Sequence, residues 1–343
     1  MTSSRLKWVD NVKGIAMISV VLCHVADGFY GANLYPESNT WLFVIRNICN
    51  IFQMPLFCMA SGYLFSKAYI DPDGNSKKDR LLRQIKNLLS IYILWCLIMG
   101  IFKIVLNSMV NYEISPVDLL LIWFKPIGVY WYLYVLMGLY LIFANRNKLK
   151  ANNTIIIIAL TIISLLASAL VNKEGYLFAF RRIGYFGVIF YLGMLLNRDE
   201  YKKPLTIAGV ALAIISIILS IVFWNTGQEI YHIPAVNLIT AVGFSLGIIL
   251  IFQLISEKMN FKILTLVGRN SLDVYLLHVF LAAGCRMVIS KVHGLSVWMS
   301  IITVFVISLF VPILIGIVAR KINVYDLFFK PYGFVEKHRK QAE

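Results

Sequence analysis

The stretch that decides the fold is NVKGIAMISVVLCHVADGFY, residues 11–30. It is long enough to cross a bilayer core of about 30 Å, which takes roughly 20 apolar residues in a helix. Arg5, Lys7 and Lys13 precede or open it, in the manner of a secretory leader. Yet it contains His24 and Asp27 and lacks an A-x-A cleavage pattern, so it reads as a retained helix.

Working outward, further apolar runs fall near 41–66, 87–108, 129–144, 154–171, 183–197, 205–224, 236–255, 271–289 and 296–319. The sequence thus predicts an all-α, polytopic membrane bundle of about ten transmembrane helices. Hydrophobic residues make up 59% of the 343, and charged residues only 14%. A soluble domain runs at about 45–50% and 25%, so the surplus must face lipid. The runs are continuous rather than alternating, which argues against a β-barrel. Neither a soluble domain nor an internal repeat is visible, and residues 1–343 read as one membrane-embedded domain. The segment from Ser115 to Val129 is broken by Pro116, Pro126 and Gly128, and Trp123 within it and Trp131 just after it read as interfacial residues. It reads as a re-entrant or outer-surface half-helix.

The formal charge of +15 raises nucleic-acid binding as a function. Position argues against it, because the basic residues cluster in the short gaps between apolar runs. With both termini inside, 24 of the 32 Lys and Arg fall on cytoplasmic segments. The other eight are Arg46, Lys103, Lys125, Lys173, Arg181, Arg182, Arg286 and Lys291. This bias predicts cytoplasmic N- and C-termini in the inner or plasma membrane of the cell. The five cysteines all lie in apolar runs, with no spacing for a disulfide framework or a metal site.

Four constellations carry possible chemistry. An ionisable group deep in a span is a functional hypothesis by default, and His24 is one. Lys13 lies eleven residues earlier, about three turns and 16 Å along the axis, on the same face. Asp10 sits three residues before Lys13 as a natural pairing partner, and Asp27 three beyond His24, within reach of a ring nitrogen. The plainer reading of His24 is a core histidine bonded to a backbone carbonyl. Second, Arg80 and Arg83 share a face at i, i+3 and suit phosphate binding, though they also serve as a topology signal. Third, Pro55, Ser61, Gly62 and Tyr63 belong to the second run, where Pro55 bends the helix and Ser61-Gly62 allows close helix approach. Fourth, Ser271 reads as an N-cap before His278, a second histidine inside an apolar run.

Together these residues resemble a known family. Arg5-x4-Asp10-x2-Lys13-Gly14-Ile15-Ala16, continuing to His24, resembles the start of the acyltransferase-3 family of membrane O-acyltransferases. Met54-Pro55-Leu56-Phe57 to Ser61-Gly62-Tyr63 looks like its second span. Arg80-Leu81-Leu82-Arg83 matches its arginine pair. Trp131-Tyr132-Leu133 and Gly268-Arg269-Asn270-Ser271 to Tyr275-Leu276-Leu277-His278 resemble its later landmarks. The sequence is similar to the branch containing fucose-type sugar acetylases. It implies a ten-helix domain that moves an acetyl group from cytoplasmic acetyl-CoA to a cell-surface or lipid-linked carbohydrate, without a metal. His24 and Asp27 become the expected catalytic residues, Lys13, Arg80 and Arg83 the donor-binding ones. Asp10, Ser61, Tyr63, Trp131 and His278 become substrate or structural supports. Two departures stand out. Lys13 replaces the usual arginine and loses its fork geometry, and Gln53 stands where histidine is common and cannot titrate. Some members carry an extracytoplasmic catalytic domain; with none here, acceptor acylation falls to the membrane domain.

Two other classes stay open on physics alone. One is a transporter or flippase for lipid-linked sugars, against which stands the lack of an inverted repeat or paired broken helices. The other is a non-catalytic subunit of a glycan synthesis complex.

Overall fold

The computed structural model describes residues 6–71, 76–105, 114–146, 152–170, 177–226, 233–292 and 294–342. Arg5, Lys148, Lys150, Lys173 and Gln228 lie outside them. Ten helices account for the ten apolar runs: α1 Lys7–Gly31, α2 Asn39–Tyr69, α3 Lys78–Val105, α4 Trp131–Phe143, α5 Asn153–Leu170, α6 Phe178–Leu195, α7 Asp199–Thr226, α8 Pro234–Ile255, α10 Ser271–Ile289 and α11 Val297–Lys321. Three shorter helices join them: α9 Lys262–Arg269, α12 Tyr325–Phe329 and α13 Pro331–Ala342. Among the described residues, nine helices are long and apolar enough to cross a membrane, and Gly128–Phe143 forms a shorter apolar one. The chain is an all-helical integral membrane protein. Its polarity is inverted as lipid demands: Ile155, Ile158 and Ile162 of α5 and Ile207, Ile214 and Ile218 of α7 point outward, while Asp10, Asn11, Asp273 and His278 are buried.

The described residues divide into two compact units, each made from two chain segments: 1–60 with 199–316, and 61–198 with 317–343. In the first, α1 packs mainly on α9, and also on α10 and α8. The α1–α9 crossing is built on two glycines. A Cβ on Gly14 would strike the backbone of Leu264, and one on Gly268 the carbonyl of Asp10. Small residues let the backbones touch where there is no hydrophobic force to join helices in lipid. Polar bonds then fix the register: Asn11 donates to Ser256 Oγ at 2.9 Å and accepts from Thr265 Oγ1 at 2.7 Å. Arg269 Nε donates to Asp10 Oδ2 at 3.3 Å. The junction to α10 corrects one sequence reading. The N-cap is Asn270, not Ser271, and Ser271 is the first helical residue, buried. Asn270 Nδ2 folds back onto Leu266 O at 2.8 Å, so this side chain closes α9 rather than capping α10.

In the second unit, the end of α2 meets α6 at Gly62, where a Cβ would collide with Phe190 O. The close approach read from Ser61-Gly62 is thus present. Around it stack Phe65, Tyr140, Phe190 and Phe143, with ring centroids 4.8–5.9 Å apart. The segment from Ser115 is irregular, as its prolines imply, but no half-helix forms. It holds only 3₁₀ turns at Pro116–Leu119 and Gly128–Tyr130. Ser115 and Asp118 cap each other, and Gly128 adopts φ +58°, which only glycine tolerates freely. The Ser115 backbone N–H, with Lys125 beside it, holds the Asp118 carboxyl below the usual carboxylate range.

Candidate active site

The first unit brings two histidines together. His24, half-buried on α1, and His278, fully buried on α10, have ring centroids 5.2 Å apart with planes tilted by 42°. His278 Nδ1 lies 2.9 Å from Val274 O and 3.0 Å from Tyr275 O. Carbonyls only accept, so Nδ1 carries the proton and Nε2 is left with its lone pair. That Nε2 is sealed from solvent and has no hydrogen-bond partner. A buried acceptor without a donor costs about 1–3 kcal/mol, so its retention points to use. Sequence reading ranked His278 as a support; nothing in residue spacing placed it beside His24, because the two are 254 positions apart.

Lys13, His24 and Asp27 do share one unbroken helix, and all three are half-buried along a single stripe. The expected contact between Asp27 and the imidazole is absent. Asp27 Oδ1 instead accepts from Arg46 Nη1 of α2 at 3.2 Å. A guanidinium outcompetes a neutral imidazole for a carboxylate, since both partners are charged. Arg46 also lies over the rings of Tyr30 and Phe43, at 5.1 and 5.3 Å. Arg286 of α10 donates to Gly28 O at 2.6 Å, one residue beyond Asp27. Sequence reading treated Arg46 and Arg286 only as residual positive charge. The missed signal was available, because both lie inside apolar runs where a cation needs a reason. Gln53 is buried and donates to Asn50 Oδ1 at 2.8 Å, while its own Oε1 has no partner. Asn50 Oδ1 also receives the Cys23 thiol at 3.4 Å.

The remaining expected residues belong to the second unit. Arg80 and Arg83 occupy the first two turns of α3. Arg80 lies over the Tyr69 ring at 5.6 Å, and Arg83 pairs with Glu336 of α13 at 3.0 Å. Ser61 Oγ is 3.1 Å from Tyr132 Oη, and Tyr63 is half-buried on the same turn of α2. Trp131 opens α4, with Phe186 stacked at 5.8 Å. No group of three or more His, Cys, Asp or Glu near enough to hold a metal ion occurs among the described residues.

Residues 6–317 match the acyltransferase-3 family, described as an acyltransferase domain. The chain belongs to the acyltransferase-3 family. The match runs from the residue before α1 into the last turns of α11, so it takes in the helices of all ten apolar runs. No curated protein and no solved structure matches the chain. An acyltransferase-3 membrane protein transfers an acyl group.

Proposed function

We propose that this acyltransferase-3 protein is an O-acetyltransferase that moves acetyl from cytoplasmic acetyl-CoA to a hydroxyl of a cell-surface or lipid-linked carbohydrate. The observation that carries the proposal is the His24–His278 pair with its sealed, unpartnered Nε2.

The tautomer of His278 supplies the logic. The His24 ring lies beside that of His278, with centroids 5.2 Å apart, and a His24 ring N–H turned toward Nε2 would be its donor. That bond fixes the His24 tautomer and leaves the other His24 nitrogen as a free base, the task first expected of Asp27. His24 then takes the proton of the acceptor hydroxyl as the oxygen attacks the thioester carbon. The tetrahedral intermediate collapses, the C–S bond breaks, and the imidazolium returns its proton to the leaving thiolate. The products are an O-acetyl ester and CoA thiol. Asp27, neutralised by Arg46, acts as a fixed dipole near the pair rather than as a ligand to the ring. Within the second unit, Arg80 and Arg83 offer the forks that suit the phosphates of the donor; within the first, Lys13 offers a point charge. Their place among basic residues that read as inner loops, on the positive-inside expectation of cytoplasmic termini, supports a cytoplasmic donor.

Purified protein in detergent, given acetyl-CoA and a carbohydrate acceptor, tests the reading. His24→Gln should lower turnover by a factor of about 10² or more while expression and stability hold, since one neutral polar group replaces another. Mass spectrometry of surface glycan should show the matching loss of acetyl. Near-normal turnover by the folded variant would remove His24 from the mechanism and favour a transport role.

A further inference from the structure

Two adjacent arginines, Arg181 and Arg182, lie in the first two turns of α6, in the second unit. The Arg182 guanidinium is held by rings. Its Cζ is 4.4 Å from the centroid of Trp131 and 4.9 Å from that of Phe178. Phe178 in turn meets Trp131 edge-on at 6.2 Å, and Phe186 stacks on Trp131. Arg181 reaches only a backbone carbonyl, Ser168 O at 3.5 Å. Among the described residues no carboxylate pairs with either arginine, and Arg182 makes no hydrogen bond at all. The Nε of each is buried without a partner.

That is a costly arrangement inside an apolar helix. A cation in a membrane span is retained when it serves a ligand or a pathway, and these two repel each other as well. The rings orient Arg182 without consuming its donors: stacking uses the faces of the guanidinium and leaves the N–H fork, which matches carboxylate and phosphate geometry. A pre-oriented, unpaired fork is an oxyanion receptor.

Its place separates it from the donor arginines. Trp131 starts α4 and Phe143 ends it, about 18 Å away at 1.5 Å per residue. Tyr140, near the Phe143 end, packs on Tyr69 at 5.7 Å, and Arg80 lies over Tyr69. So the two arginine pairs stand at opposite ends of one helix layer, and the phosphates of one donor group held at Arg80 do not account for Arg182.

We propose that Arg182, braced by Trp131 and Phe178 with Arg181 beside it, binds an oxyanion, a phosphate or a carboxylate, borne by the acceptor saccharide. The acceptor is then an acidic sugar or a sugar phosphate rather than a neutral one. This rests on the carbohydrate reading above.

The test is direct binding, by thermophoresis of the full chain in phosphatidylcholine nanodiscs, of glucose 1-phosphate, glucuronate and methyl glucoside. At least one acidic sugar should bind tenfold or more tighter than methyl glucoside, and which one separates phosphate from carboxylate recognition. Arg182→Gln should erase that ratio and Arg83→Ala should leave it intact. Arg182→Lys keeps the charge but not the fork, so it guards against a misfolded glutamine variant; it should cut the ratio severalfold. Equal binding of all three sugars, or a ratio unchanged in Arg182→Lys or Arg182→Gln, overturns the proposal. So does competition in which phosphatidylglycerol alone occupies the site and neither acidic sugar displaces it, since that marks a lipid headgroup site. Acetyl-CoA turnover is followed on the same samples. Lost turnover with a preserved acidic-sugar preference sinks the transferase reading alone; turnover without preference sinks this proposal alone.

Discussion

At the scale of single residues, the two nitrogens of His278 make opposite claims that substitution can separate. Asn places an amide near the position of Nδ1 and can keep the bond to Val274 O, but offers nothing where Nε2 stood. Gln reaches the Nε2 position with an oxygen that accepts. If His278 acts through His24, His278→Gln should retain several times more turnover than His278→Asn. If it only packs, the order should reverse or vanish, because the backbone bond is then what matters. The placement of the candidate residues along α1 was legible in the sequence. His24, Lys13 and Asp27 stand out because titratable groups in an apolar run need a reason, and helical spacing puts them on one face. What spacing could not give was partnership across the chain. Asp27 stood three residues from His24, yet a charged competitor from the next helix, Arg46, takes the carboxylate. The imidazole's neighbour comes from α10, more than two hundred residues on.

At the scale of elements, the α1–α9 crossing depends on Gly14 and Gly268 having no Cβ. Gly268→Ala should force the two backbones apart, at a cost of about 1–3 kcal/mol, and lower the detergent melting temperature; an unchanged melting temperature would mean that the crossing is looser than the geometry requires. The second element at issue is α13. Lys86 Nζ lies 3.4 Å from Tyr332 Oη, and Ser90 Oγ accepts from the Tyr332 backbone at 3.2 Å. With the Arg83–Glu336 pair these bonds lay α13 along the start of α3. A carboxylate on Arg83 occupies the group assigned to donor phosphates. Glu336→Gln should therefore tighten CoA binding a fewfold, while Arg83→Ala weakens it; equilibrium titration of CoA distinguishes the two signs, and equal, unchanged affinities would reduce Arg83 to a tether for α13. The long helices were readable from apolar length alone. The short helices α9, α12 and α13 were not, since eight, five and twelve residues of mixed polarity carry no membrane signal and take their form from what they pack against.

At the scale of the whole molecule, the bias of the basic residues predicts a direction for the helices. Reporter fusions after Lys150 and after Glu343 should both report cytoplasm, and a fusion near Gln228 the outside. An external signal at Glu343 would invert the arrangement and, with it, the sidedness of donor and acceptor. Continuous apolar runs foresaw about ten spans but not the division into two interleaved units, because that division depends on which helices touch, and a helix buried by protein and one bathed in lipid have the same hydropathy.

That interleaving bears on how the protein is made. The first unit begins with residues 1–60 and is completed only by 199–316. A ribosome adding about 5–20 residues per second takes on the order of 10 s to synthesise the intervening 61–198. For that interval α1 and the start of α2 have left the ribosome while His278, Arg286 and α9 do not yet exist. Asp27 and Arg46 need no such wait, since both come from the first segment. Their ion pair cancels two opposite charges within a single hairpin, so this earlier segment can rest in the membrane, electrically quiet, until the helices that complete its unit arrive.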